Sequence, residues 1–173
     1  MLSGRKMSVE EWIELGRENR TVLEAAMAIG AFHDYRNGTH SEASMPKKEP
    51  ISVMVVDDHD TVRRGLAVFL RAFDDLRLVG EAANGLEAVN LCAEIHPDVI
   101  LMDLVMPEMN GIEATRSIHL QWPEVRIIGL TSFREEALAE QALQAGAVKC
   151  LRKDMSIDEL ADAIRSARTT SMD

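Results

Sequence analysis

Cysteine is nearly absent. The 173 residues include only Cys92 and Cys150, each alone in an apolar context. Two isolated thiols make neither a disulfide framework nor a zinc pattern, and they suit a reducing compartment. Long apolar runs are missing as well. The longest, such as ISVMVV (51–56), fall far short of the roughly 20 residues that span a bilayer. The opening residues, MLSGRKMSVEEW, hold no apolar stretch of the kind a secretory signal requires. Positive charge is in deficit, with 19 Lys and Arg against 29 Asp and Glu, for a net charge of −10. So acidic a chain is repelled by nucleic acid and by anionic membranes, and neither is expected as a direct partner. A cytoplasmic location is expected. Internal repeats and low-complexity tracts are absent too.

What is present divides near Pro50. Residues 1–50 hold seven Lys and Arg against eight Asp and Glu, while residues 51–173 hold twelve against twenty-one. Residues 37–50, NGTHSEASMPKKEP, are polar, small and carry two prolines, which is linker chemistry. Before them, residues 1–36 read as a helical extension. Ser8 and Glu11 fit a capping box. Val9, Ile13, Gly16, Leu23, Met27 and Gly30 follow at helical spacing. This segment is expected to dimerise, to dock on the rest of the chain, or to be surplus, since Met45 is also a plausible start.

From Ile51 to about residue 170 the hydrophobic period alternates. Short strand-like runs occur at 51–56, 76–82, 98–102, 125–130 and 147–151. Each is followed by residues at helical spacing, such as Val62, Leu66, Phe69, Leu70 and Phe73 after the first run. Ser156 and Glu159 form a second capping box before the last helix. Five strand–helix units with fully apolar strands predict an α/β fold, a parallel sheet covered on both faces. The expected architecture is the flavodoxin-like, doubly wound sheet of order 2-1-3-4-5.

Open sheets of this kind bind ligands beyond the carboxyl ends of their strands. The residues there are Asp57 and Asp58 after strand 1, Asp103 after strand 3, Thr131 and Ser132 after strand 4, and Arg152 and Lys153 after strand 5. A lone Asp in such a place is usually a turn or cap residue. Four suitable strand ends together are not so easily explained. Three close carboxylates need shared protons or a cation. An all-oxygen, open site suits a hard divalent ion such as Mg2+, which favours carboxylates together with phosphate oxygens. One carboxylate can then act as a nucleophile toward phosphorus, with Lys153 and Thr131 contacting the phosphoryl oxygens.

At this point the segment resembles the receiver domain of bacterial two-component response regulators. The motifs are VVDDHDTVRRGL, LMDLVMPEMNGIEA, LTS and AGAVKCLRKD. The DDH triplet, VGEAANGLEAV and the Lys153–Asp154 ending resemble the LuxR-type subfamily, whose members carry a C-terminal helix-turn-helix DNA-binding domain that this sequence does not show. The resemblance implies that Asp103 accepts a phosphoryl group from a sensor histidine kinase or phosphotransfer protein. It implies that Asp57, Asp58, Asp103 and the backbone carbonyl of Val105 hold Mg2+, Asp58 directly and Asp57 often through water. Thr131 becomes the switch hydroxyl, Lys153 the phosphate contact, and Pro107 and Gly111 shape the loop after Asp103. Val105 and Phe133 occupy the positions that tune hydrolysis. Both are apolar, which predicts a slow loss of phosphate.

Two departures stand out. The usual aromatic switch position is Cys150, and Lys153 is followed by Asp154 rather than proline. The first puts the usual readout in doubt, not phosphorylation. The expected function is a phosphorylation-dependent signalling switch, not an enzyme acting on a separate substrate, with a possible homodimer as output. Three rivals remain. One is a degenerate receiver serving as a constitutive binding module. Another is the receiver part of a longer DNA-binding transcription regulator. The third is an aspartate-nucleophile phosphatase, which would need an acid where Val105 stands. His59 is read as a helix-start residue, Met106 and Met109 as packing beside the acceptor loop, and Cys92 as a buried helix residue.

Overall fold

The computed structural model describes residues 49–132 and 136–169. The expected N-terminal helix, most of the linker and Phe133 lie outside these. In chain order the elements are β1 (Ile51–Val56), α1 (Asp60–Arg71), β2 (Leu76–Ala82), α2 (Gly85–Ile95), β3 (Val99–Asp103), α3 (Gly111–Gln121), β4 (Arg126–Thr131), α4 (Glu136–Gln144), β5 (Lys149–Arg152) and α5 (Ile157–Thr169). The strands form one parallel sheet of order β2-β1-β3-β4-β5, as the alternating pattern predicts.

Strand alternation sorts the core into two layers. Val53 and Val55 of β1 point to one face, with Val99, Leu101, Ile128 and Leu130. There they meet Leu66, Phe69 and Leu70 of α1 and Leu160 and Ile164 of α5. Met54 and Val56 point to the other face, with Ile100, Met102 and Ile127, against Ala88 and Cys92 of α2 and Ala114 and Ile118 of α3. Each large side chain buried in this way contributes about 1.5–3 kcal/mol. A third, smaller cluster lies under α4. Leu104 and Ile112 pack there against Ala142, Ala145 and Ala147, with Leu138 and Cys150 at its margin.

Local chemistry fixes where the helices start. Asn110 caps α3 in a full capping box with Glu113, although the sequence had not marked it. Asn84 accepts from the Glu87 amide at the start of α2. The box foreseen at Ser156 and Glu159 is present, with Ser156 N donating to Glu159 Oε2 at 2.8 Å. At the opposite end of the sheet, Ser52 and Asp98 exchange three hydrogen bonds between β1 and the start of β3. Beside them Arg168 of α5 donates to the Glu49 carbonyl at 3.0 Å and approaches Asp98 at 3.7 Å.

β3 and β4 each lie one residue later than expected, and β5 ends one residue later, so that it includes Arg152. Asp103 and Thr131 are the last residues of β3 and β4 rather than the first beyond them, paired with Leu130 and Arg152. A polar side chain after an apolar run reads as a breaker, but the backbone ladder continues through it. β5 begins at Lys149 rather than residue 147.

Candidate functional site

The carboxyl ends of β1, β3, β4 and β5 converge as the strand order requires. Asp57 prolongs the β1–β2 pairing, its amide donating to the Ala82 carbonyl at 3.2 Å. The Lys153 amide donates to the Thr131 carbonyl at 2.8 Å, which carries the β4–β5 ladder to the lysine. Backbone pairing therefore places Asp57, Asp103, Thr131 and Lys153 on adjacent strands.

Lys153 joins the carboxylates. Its Nζ donates to Asp57 Oδ2 at 2.8 Å and pairs with Asp103 Oδ2 at 3.0 Å. Asp57 and Asp103 are both buried. The other Asp57 oxygen accepts from the His59 amide at 2.8 Å, and Asp103 Oδ1 accepts from the Val105 amide at 3.2 Å. Burial pushes the Asp103 carboxyl up to about 6; the Lys153 charge opposes this and the Asp57 charge adds to it. Burial also works against the Lys153 ammonium, but Asp103 and Asp57 outweigh it and hold its pKa above the ordinary lysine value.

Asp58 differs from its neighbour. Its Oδ1 is buried without a hydrogen bond, although His59 Nδ1 lies 2.9 Å away. That nitrogen meets hydrogen-bond geometry with Asp57 Oδ1, at 3.2 Å. A buried carboxylate oxygen left unsatisfied costs free energy, and a cation would supply its missing partner. Ligand atoms of Asp57, Asp58, His59 and Asp103 all lie within 4.8 Å of one another, close enough to surround one ion. Among the described residues, this acidic donor set fits a divalent cation.

The remaining predicted residues fall around this centre. Val105 is 48% exposed on the loop after Asp103. Thr131 is buried, and its hydroxyl lies 3.5 Å from the Leu151 carbonyl of β5. Cys150 is half-buried; its Sγ donates to the Ala139 carbonyl of α4 at 3.4 Å. Burial raises its thiol pKa, with the Gly129 backbone pulling the other way, so little of it is reactive thiolate. The loop after Asp103 is tight. A Cβ on Gly111 would collide with the Asp103 carbonyl oxygen, and Glu108 sits at φ 66°, a region that L side chains rarely adopt. Met106 is buried beside this loop, and Met109 packs on the α2–α3 layer.

Two residues near the carboxylates were not marked as site residues by sequence. His59 is indeed the N-cap of α1, but its side chain makes no capping bond and lies against the carboxylates instead. Arg63, one turn further on, donates to the Asp57 carbonyl at 2.7 Å. The only available signal was spacing, since both lie at the start of the helix that follows the aspartate pair.

Comparison with known proteins agrees with this geometry. The response regulator receiver domain family matches residues 53–165. The chain belongs to this family. The receiver is 49% identical over 117 residues to the transcriptional regulatory protein LiaR of Bacillus subtilis, covering 68% of this chain and 56% of that protein. The chain thus spans about half the length of the curated relatives it matches. Among solved structures, the receiver domain of a putative response regulator NarL from Mycobacterium tuberculosis superposes with a TM-score of 0.68 at 31% identity, covering 72% of this chain and all of that one. A LuxR-family two-component response regulator from Aurantimonas sp. SI85-9A1 gives 0.64 at 36% identity, covering 68% of this chain and 84% of that one. The receiver is therefore a signalling domain with LuxR-type relatives. None of its described helices is long and apolar enough to cross a membrane.

Proposed function

We propose that residues 51–170 form one phosphorylation-dependent switch, with Asp103 as the acceptor. The convergence of Asp103, Lys153, Asp57 and Asp58 at adjoining strand ends carries this reading. A carboxylate oxygen of Asp103 attacks the phosphorus of a phosphohistidine. The phosphorus–nitrogen bond breaks, and its electron pair returns to the donor imidazole. The donor is a sensor histidine kinase or a phosphotransfer protein.

Lys153 and the Val105 amide hold one Asp103 oxygen each, which fixes the carboxylate for in-line attack. Mg2+ is the cation we assign, held by Asp58, Asp57, Asp103 and the Val105 carbonyl. The unsatisfied Asp58 oxygen supports a direct Asp58 contact. When bound, the ion offsets the negative charge shared by the carboxylates and the phosphoryl oxygens. Lys153 and Thr131 then contact those oxygens. Because Thr131 now faces the β5 backbone, its turn toward the site would disturb the β4–β5 edge, on which α4 and Cys150 rest. The output is a changed interaction surface, read by a second copy of the chain or by another protein.

Asp103→Asn tests the assignment. With acetyl phosphate and Mg2+, the wild-type chain should gain one phosphoryl group by intact mass and the variant none. Label retained by a folded variant would move the acceptor elsewhere.

A further inference from the structure

We propose that His59 is itself a metal ligand, and that its nitrogen makes this site bind ions such as Co2+ and Ni2+ more tightly than Mg2+. The inference rests on the cation-site reading above and extends it to which ion is preferred. His59 Nδ1 lies 2.9 Å from Asp58 Oδ1 and 3.2 Å from Asp57 Oδ1. It belongs, with oxygens of Asp57, Asp58 and Asp103, to a group of donor atoms that all lie within 4.8 Å of one another. Opposite ligands of one six-coordinate ion stand apart by two bond lengths, about 4–5 Å, so a single ion can touch all four.

The backbone that carries the imidazole is fixed at the start of α1, while the ring itself is largely exposed on its outer side. The His59 amide donates to Asp57 Oδ1 at 2.8 Å, and the His59 carbonyl accepts from the Val62 and Arg63 amides in the first turn of α1. Arg63 Nη1 pins the same turn through the Asp57 carbonyl. The capping position leaves this side chain unused by the helix, as it makes no capping hydrogen bond. The ordinary explanation for a polar residue there, satisfaction of helix amides, therefore does not account for where the ring sits.

Ligand chemistry gives the consequence. Mg2+ takes oxygen donors and keeps its waters, so an imidazole adds little to its affinity. Later first-row ions accept nitrogen readily and gain affinity along the Irving–Williams order. A site of three carboxylates and one imidazole should therefore favour the latter.

The test uses the full chain and His59→Asn, which keeps a good N-cap residue. Co2+ binding is followed by its visible absorption and Mg2+ binding by calorimetry, with unfolding midpoints compared to show that the variant folds. The wild type should bind Co2+ more tightly than Mg2+. His59→Asn should lose about tenfold or more in Co2+ affinity, the scale on which even supporting residues of metal sites act. Its Mg2+ affinity should stay within about twofold, since hard cations gain little from nitrogen. Equal losses for both ions would make His59 a positioning residue and overturn the proposal, as would no loss for either. Asp58→Asn separates the two levels. If it leaves both ions bound as in the wild type, or if the wild type binds neither, the cation-site reading itself fails and this inference falls with it.

Discussion

Two regions of the core are built differently. On one face of the sheet, α1 and α5 press large side chains, Leu66, Phe69, Leu70, Leu160 and Ile164, onto β1, β3 and β4. Beside the β5 edge, α4 rests on a floor of alanines around Leu104 and Ile112. Every fully buried leucine or isoleucine makes dozens of dispersion contacts, while an alanine makes few. The first region is a body whose packing resists rearrangement. The second is a ledge whose loss costs less, and it is attached through Leu104, the residue next to Asp103. Elements that move in a switch are drawn from the less stable parts of a fold. The division suits a signalling switch that, in the function proposed above, answers phosphorylation of Asp103 without unfolding.

The most severe way to break this contrast is to empty the larger layer. Leu70→Ala should cost about 2–5 kcal/mol in urea unfolding, the range for deleting a fully buried leucine, and should lower protection from hydrogen exchange throughout the sheet. Leu104→Ala should cost less in global stability, because its small neighbours can close on the gap, and should raise exchange mainly in α4. Equal global losses from the two would erase the distinction. A subtler change concerns the exposed Val105 at the rim of the site, together with Phe133. Val105→Asn combined with Phe133→Glu should shorten the life of the phosphorylated form, read as decay of the labelled protein, because polar groups there can orient a water that apolar ones exclude. An unchanged decay would remove these two positions from control of lifetime.

The smallest effect belongs to the outer side of the larger layer. Arg165 of α5 holds Asp75 through two hydrogen bonds, at 2.7 and 3.0 Å, and stacks over Phe73. The bond from Arg165 lowers the Asp75 pKa, with burial opposing only in part. A lowered folded-state pKa means stability present above the usual carboxylate value and lost as pH falls through the folded one. Since both groups are largely exposed, Asp75→Asn should cost under about 1 kcal/mol at neutral pH. That cost should shrink toward zero on strong acidification. A cost that stayed constant with pH would assign the pair's contribution to packing on Phe73.

Much of this architecture could be read in the sequence, because the inner strands β1, β3 and β4 are buried on both faces, are mostly apolar, and stand out from the helices between them. The same logic put Asp57, Asp58, Asp103, Thr131 and Lys153 at strand ends and so near one another. What the sequence hid was orientation. Nothing in the spacing says that Lys153 bridges Asp57 and Asp103, or that an Asp58 oxygen is buried without a hydrogen bond. His59 and Arg63 read as ordinary residues of a helix start, since only the turn of the backbone brings them back to Asp57. The alanine floor under α4 was equally silent, because small residues leave a weak hydrophobic signal whether buried or exposed.

The contact of Arg168 with Glu49 has a mechanical meaning. It ties the segment entering β1 to the last turn of α5, at the end of the sheet away from Asp103. The polypeptide therefore comes in and goes out through a single anchor. A tilt of α5 would pull on both directions of the chain at once, so whatever is joined to either side would share one pivot.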